Sequence, residues 1–214
     1  MNSTFEIPKA TERRMILLLN LLDSYTEDKI TSVDISRQTG WKDSVVRHDL
    51  WLLKKLVVEN VETTINFDGI SNGYRTADLR KAINQALGFE ANQTNCCIVG
   101  LGRLGAALLD EKLTEDSPFV IKAGFDSNVN RVEILRSNFP LYPAHDMNWV
   151  IKQERISLAV LTVADKDAQV MADKLAAAGI KGIVNMTRTV LKVPSDIRVE
   201  NLSIINALKL LNRC

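Results

Sequence analysis

Between Gly100 and Gly105 the chain reads Gly-Leu-Gly-Arg-Leu-Gly. The apolar run Cys96-Cys97-Ile98-Val99 leads into it, and a helix-forming run follows. In that context the pattern is the pyrophosphate-binding fingerprint of a dinucleotide site. Gly100 permits the tight turn out of the strand, Gly102 lets a pyrophosphate approach the backbone, and Gly105 lets helix and strand pack closely. Leu101, Arg103 and Leu104 fill the loop and the helix start, where free N–H groups and the positive helix end favour phosphate. Asp126 closes the next apolar run about 20 positions after Gly105, the usual interval for a carboxylate that accepts hydrogen bonds from the adenosine ribose. A 2′-phosphate there would meet a like charge, at about 4 kcal/mol for unit charges 4 Å apart and an effective dielectric of about 20. The expected ligand is therefore NAD(H) rather than NADP(H). Two alternatives stay open: another nucleotide such as coenzyme A, or a glycine-rich turn that binds nothing.

Further candidates stand where later strands are expected to end: Thr162 and Val163 after one, Asn185 after another. In an open parallel sheet, ligands bind outside the carboxyl ends of the strands. Hydride chemistry also needs a proton-transfer group. The only histidines, His48 and His145, are not placed for it. No enzyme is expected, with a dehydrogenase remnant as the alternative. No residues have metal-ligand spacing. Cys96 and Cys97 are neighbours in one strand, so they face opposite ways and read as reduced core residues; Cys214 is expected to be solvated.

The first half carries a different pattern. Helices are expected over 10–23, 33–38 and 43–56, with Thr31 or Ser32 capping the second and Gly40 ending it. Helix, short turn with glycine, helix is the helix-turn-helix arrangement, whose second helix enters the major groove. Lys42, Ser44, Arg47 and His48 then supply donors to bases or phosphates, and Lys54 and Lys55 touch backbone. Val45, Leu50 and Leu53 read as core, and Asp49 as the partner of a nearby Arg or Lys. Two β-prone segments, 57–65 and 69–74, suggest a hairpin wing that brings Asn72, Tyr74 and Arg75 to a minor groove. The alternative for these side chains is a solvated face on a helical interaction module. Net charge is +1, so the DNA reading rests on local pattern.

From residue 95 onward, short apolar strands alternate with helices, the signature of a parallel sheet covered on both faces. The expected fold class is α/β: a winged helix-turn-helix domain over 1–88, a Rossmann doubly wound parallel sheet over 89–200, and a C-terminal dimerisation helix over 201–214. The chain is 46% hydrophobic and 25% charged, enough apolar material for a core in water. No apolar run approaches the roughly 20 residues of a membrane span. The N-terminus does not read as a signal peptide. A cytoplasmic protein with no membrane or metal partner is expected.

With both halves placed, the chain resembles the Rex family of bacterial redox-sensing transcriptional repressors. The resemblance is carried by Ile7-Pro8 with Arg13, Val46-Arg-His-Asp-Leu50, Gly73-Tyr74, the Gly100–Gly105 fingerprint and Phe125-Asp126. It continues through Leu161-Thr-Val163, Ala178-Gly-Ile-Lys-Gly-Ile-Val-Asn185 and Val193-Pro194. It implies a homodimer with a winged helix, a Rossmann domain and a C-terminal helix exchanged between subunits. It also implies a palindromic double-stranded DNA operator, released when NADH rises. The apolar helix 203–211 fits such an exchange; packing on its own domain is the alternative. Three stretches depart from the family. This chain has Trp51-Leu-Leu-Lys-Lys55 and a glycine-poor hairpin where the family has Tyr-Phe-Gly and a glycine-rich stretch. It has Asp110-Glu111-Lys112 near the family's Tyr, and Ser203 where an acidic residue opens the last helix. The latter two belong to the family's nicotinamide-sensing network, so the chain reads as a divergent branch.

Overall fold

The computed structural model describes residues 7–59, 73–89, 93–109, 114–115 and 117–212. The chain divides into two compact units, Met1–Asn92 and Gln93–Cys214.

The first unit runs α1 (Lys9–Ser24), β1 (Lys29–Ile30), α2 (Ser32–Thr39), α3 (Asp43–Glu59), β2 (Tyr74–Arg75) and α4 (Thr76–Ala86). Met15, Leu18 and Leu22 recur at helical spacing on α1 and are buried. Thr31 caps α2 through a capping box: its hydroxyl accepts from the Asp34 N–H at 3.1 Å, and the Asp34 carboxylate accepts from the Thr31 N–H at 3.1 Å. The Thr31 side-chain hydrogen bond also holds the Asp34 carboxyl below its usual range. Gly40 ends α2 at φ 73°, a left-handed conformation that a side chain rarely adopts.

Two expectations for α3 are corrected. Val46, not Val45, is the buried residue, because the buried stripe is Val46, Leu50, Leu53 and Val57 at spacings of four, three and four. Val57 therefore belongs to the helix rather than to a strand, and α3 runs on to Glu59. The wing hairpin falls mostly on residues 60–72, Asn72 included, outside the described residues. Its last part is described: Ile30 pairs with Tyr74 and Lys29 with Arg75, antiparallel.

The second unit holds β3 (Thr94–Val99), α5 (Arg103–Ala107), β4 (Phe119–Asp126), α6 (Val129–Ile134), β5 (Leu141–Pro143), α7 (Met147–Gln153), β6 (Leu158–Leu161), α8 (Ala168–Ala178), β7 (Gly182–Asn185), β8 (Arg198–Asn201) and α9 (Ile204–Leu211). The six strands form one parallel sheet in the order β5-β4-β3-β6-β7-β8. The order reverses between β3 and β6, which makes the crevice beyond those two strands the topological switch point. Alternate residues of β3 feed opposite faces: Cys97 and Val99 join the core under α7 and α8, while Ile98 packs with Leu101, Leu109, Ile121 and Leu141. The helix after the fingerprint ends at Ala107.

Candidate functional site

The fingerprint loop is built by mutual exclusion of side chains. Gly100 has φ +97°, and a Cβ there would lie 2.7 Å from the Val163 side chain and 2.8 Å from its backbone nitrogen. A Cβ on Gly105 would collide with the Gly100 carbonyl oxygen and come within 2.8 Å of the Thr162 hydroxyl. Gly102, by contrast, has nothing within 4 Å of that position. The open side of the loop is therefore at Gly102, where a pyrophosphate needs it. The first bond of α5 runs from the Ala106 N–H to the Gly102 carbonyl at 2.8 Å. Helix geometry leaves the N–H groups of Arg103, Leu104 and Gly105 without intrahelical acceptors. Arg103 and Leu104 are exposed, whereas Leu101 is buried.

Asp126 is the polar hinge of the loop. It is only 4% exposed. One carboxylate oxygen accepts from the Leu101 N–H at 2.6 Å and the other from the Asn128 N–H at 2.7 Å. The Arg131 guanidinium stands 3.4 Å away. The end of β4 is thereby tied to the fingerprint. Sequence reasoning did not single out Arg131; its place in the first turn of α6, five residues after the strand end, is the signal that could have found it.

The strand ends beyond the switch point are pinned in the same manner. The Thr162 hydroxyl donates to the Gly100 carbonyl at 2.6 Å, so it fixes the loop. Val163 is half-buried against the core. Asn185 is 1% exposed, and its side chain is fully engaged. Its Oδ1 accepts from the Thr187 hydroxyl at 2.7 Å and the Thr187 N–H at 3.1 Å, and its Nδ2 donates to the Thr189 carbonyl and to Asn201. A second tie was not foreseen. Asp165 accepts from the Arg188 N–H at 2.9 Å and from its Nε at 2.8 Å, joining the loop after β6 to the loop after β7. The Arg188 N–H, then its guanidinium, hold the Asp165 carboxyl below the usual carboxylate range.

In the first unit, Lys42, Ser44, Arg47 and His48 lie exposed at the start of α3, and Lys54 is half-buried. Arg47 pairs with Asp43 at 2.5 Å. Asp49 faces inward, where it accepts from Arg14 Nε at 2.5 Å and from the Thr11 hydroxyl at 2.9 Å, bolting α3 to α1. Tyr74 is half-buried against the apolar core of this unit. His145 is exposed after β5 and lies 3.6 Å from Asp146. Among the described residues there is no cluster of metal-ligating side chains, and no helix is long and apolar enough to cross a membrane.

A helix-turn-helix unit followed by a Rossmann-type unit with a dinucleotide fingerprint is the architecture of a ligand-controlled DNA-binding regulator. Comparison with known proteins agrees. Residues 91–189 match a family model described as CoA binding domain, and residues 6–50 match one described as putative DNA-binding protein N-terminus. The redox-sensing transcriptional repressor Rex of Limosilactobacillus reuteri is 30% identical over 209 residues, covering 96% of this chain and 92% of that protein. Rex 1 of Enterococcus faecalis is 31% identical over 212 residues, covering 96% and 91%. The chain belongs to the Rex family of redox-sensing transcriptional repressors. Among solved structures it is similar to RSP, a Rex-family repressor, with a TM-score of 0.80 and 26% identity over 98% of this chain and 93% of that one. RSP in complex with beta-NAD+ and operator DNA gives a TM-score of 0.81 at 26% identity, covering 98% and 92%.

Proposed function

We propose that the protein is a cytoplasmic, homodimeric transcriptional repressor that binds a palindromic operator and releases it when NADH occupies the Rossmann unit. The observation that carries this reading is the conjunction, in one chain, of a buried Asp126 tied to the open Gly102 loop and a recognition helix with an exposed cationic face. The Rex relatives, and an RSP structure holding beta-NADH, support it.

In this reading the pyrophosphate lies on the backbone of Gly100, Leu101, Gly102, Arg103, Leu104 and Gly105, and Asp126 takes the adenosine ribose. Thr162, Val163 and Asn185 shape the crevice wall by holding its loops rather than by offering free polar groups. Lys42, Ser44, Arg47, His48 and Lys54 face DNA, with Tyr74 at the base of the wing. Arg47 exchanges Asp43 for a phosphate or a guanine edge at small cost, since an exposed i,i+4 pair contributes roughly 0.3–0.5 kcal/mol. Helix α9, with Leu202 just before it, supplies the dimer contact: Leu202, Ile204, Ile205, Leu208, Leu210 and Leu211 are all more than half exposed within one chain, more apolar surface than a terminal helix keeps in water. Two-fold symmetry then sets recognition helices about 34–36 Å apart, one turn of DNA. NADH acts by binding the arrangement that does not fit this spacing more tightly than the one that does. The protein works as a regulator, with no hydride transfer to a second substrate.

The match to a CoA binding domain favours one second reading, a different adenine nucleotide as ligand. The buried Asp126 carboxylate argues against it, because a ribose carrying a phosphate would place like charges together. The test is release from an immobilised operator selected from a random DNA pool. The proposal expects NADH to elute the protein while NAD+, NADPH and coenzyme A leave it bound. Elution by coenzyme A alone would replace this reading with the second.

A further inference from the structure

The exposed face of α3 carries a large aromatic side chain, Trp51, beside the polar residues that face DNA. Ser44, His48, Trp51 and Lys55 recur at spacings of four, three and four. They lie diametrically opposite the buried stripe of Val46, Leu50, Leu53 and Val57, since each residue advances about 100°. Trp51 is 55% exposed in the middle of this outward face. Its indole is held in place from both sides. The His48 ring stacks on it with centroids 5.9 Å apart and planes 20° from parallel. The Lys55 ammonium lies 5.7 Å from the ring centroid on the next turn.

We infer that Trp51 is a base-reading residue, contacting the 5-methyl group of a thymine in the major groove about two helical turns beyond Ser44. The inference rests on the operator reading above. Charge selects DNA as the occupant of this face. Arg47 and His48 lie one turn before the indole on this helix, and Lys55 one turn after it. Of the two carboxylates nearest on this helix, Asp43 is occupied by Arg47 and Asp49 is turned inward to Arg14. An apolar plate with a cationic rim matches a groove whose walls are phosphates and whose floor offers one apolar feature, the thymine methyl. Seven residues separate Trp51 from Ser44, about 10 Å along the axis. Trp51 therefore reads base pairs that Ser44 does not reach. The stack fixes the indole before binding, so little side-chain freedom is lost on contact.

The test compares the full-length protein with Trp51→Ala and Arg47→Ala on a selected operator in which each thymine is replaced in turn by uracil, which removes only the methyl. The wild type should lose about fourfold in affinity at one thymine per half-site, the worth of one buried methyl group. Trp51→Ala should bind the parent operator more weakly and be indifferent to that replacement, while Arg47→Ala keeps the methyl dependence. Trp51 is exposed, so its variant should keep the wild-type helix signal in circular dichroism. A Trp51→Ala protein with the wild-type uracil profile and selected consensus would overturn the inference and leave the operator reading standing. A wild-type protein that selects no DNA site would overturn both.

Discussion

Replacing Asp126 by asparagine isolates the charge at the adenosine end of the site. The carboxylate accepts from two backbone donors, Leu101 N–H at 2.6 Å and Asn128 N–H at 2.7 Å. An amide of the same shape has one oxygen and can serve only one of them. Leaving the other buried donor unsatisfied costs about 1–3 kcal/mol. The variant should thus melt a few degrees lower yet remain folded. The larger effect is on ligand choice. A single charge on a 2′-phosphate 4 Å from the carboxylate costs about 4 kcal/mol at an effective dielectric of about 20, or roughly three decades of affinity. Arg131, 3.4 Å from the same carboxylate, offsets part of that. Calorimetric titration of NADH and NADPH should therefore give a strong NADH preference in the wild type, within roughly tenfold of parity in Asp126→Asn. Arg131→Ala should widen the preference instead. An Asp126→Asn protein that is folded and still prefers NADH by the wild-type factor would refute the role assigned to this charge.

Other consequences follow from the same geometry. Gly105→Ala forces a Cβ into the Gly100 carbonyl and the Thr162 hydroxyl; it should cost at least the roughly 1–3 kcal/mol of an overpacked core and abolish NADH binding, read by thermal unfolding and calorimetry. Ile205→Ser with Leu208→Ser, both exposed on α9 within one chain, should shift the protein from dimer to monomer in sedimentation velocity; an unchanged dimer would place the contact elsewhere. Burial pushes the Cys96 thiol up to about 11 and raises that of Cys97 as well, so at pH 8 almost no thiolate exists at either. Iodoacetamide should leave both unlabelled in the native protein and label them in denaturant, as mass spectrometry of the peptides would show. Thr31→Ala removes the hydroxyl of the α2 capping box and should cost about 1 kcal/mol in denaturant unfolding.

Much of the fold can be read along the chain because it is written in local patterns. The fingerprint glycines, the apolar runs of β3 and β7 and the capping box and terminal glycine of α2 each carry their signal within a few residues. The end of α3 was harder, because Val57 and Val58 have strand propensity, and only the continuation of the buried stripe through Val57 keeps them helical. The site was legible in its residues but not in their use. Thr162 and Asn185 are of the right type at strand ends, yet their polar atoms are committed to the Gly100 carbonyl and to the loop around Thr187 and Thr189. Sequence cannot say which lone pairs and protons are already taken. Nor could it supply the tie between Asp165 and Arg188, which depends on how two loops 23 residues apart leave the same sheet edge. The outward stripe of α3 lay in plain view, but Trp51 reads as one more apolar residue until the helix phase is known.

The central claim is that one chain couples nucleotide redox state to operator occupancy. Its most direct test is fluorescence anisotropy of the labelled operator at constant total nucleotide, with only the NADH to NAD+ ratio varied. The account predicts that anisotropy falls as the ratio rises, reversibly, and that the response is lost in Gly105→Ala. An operator that stays bound at every ratio, while calorimetry shows NADH in the site, would contradict it.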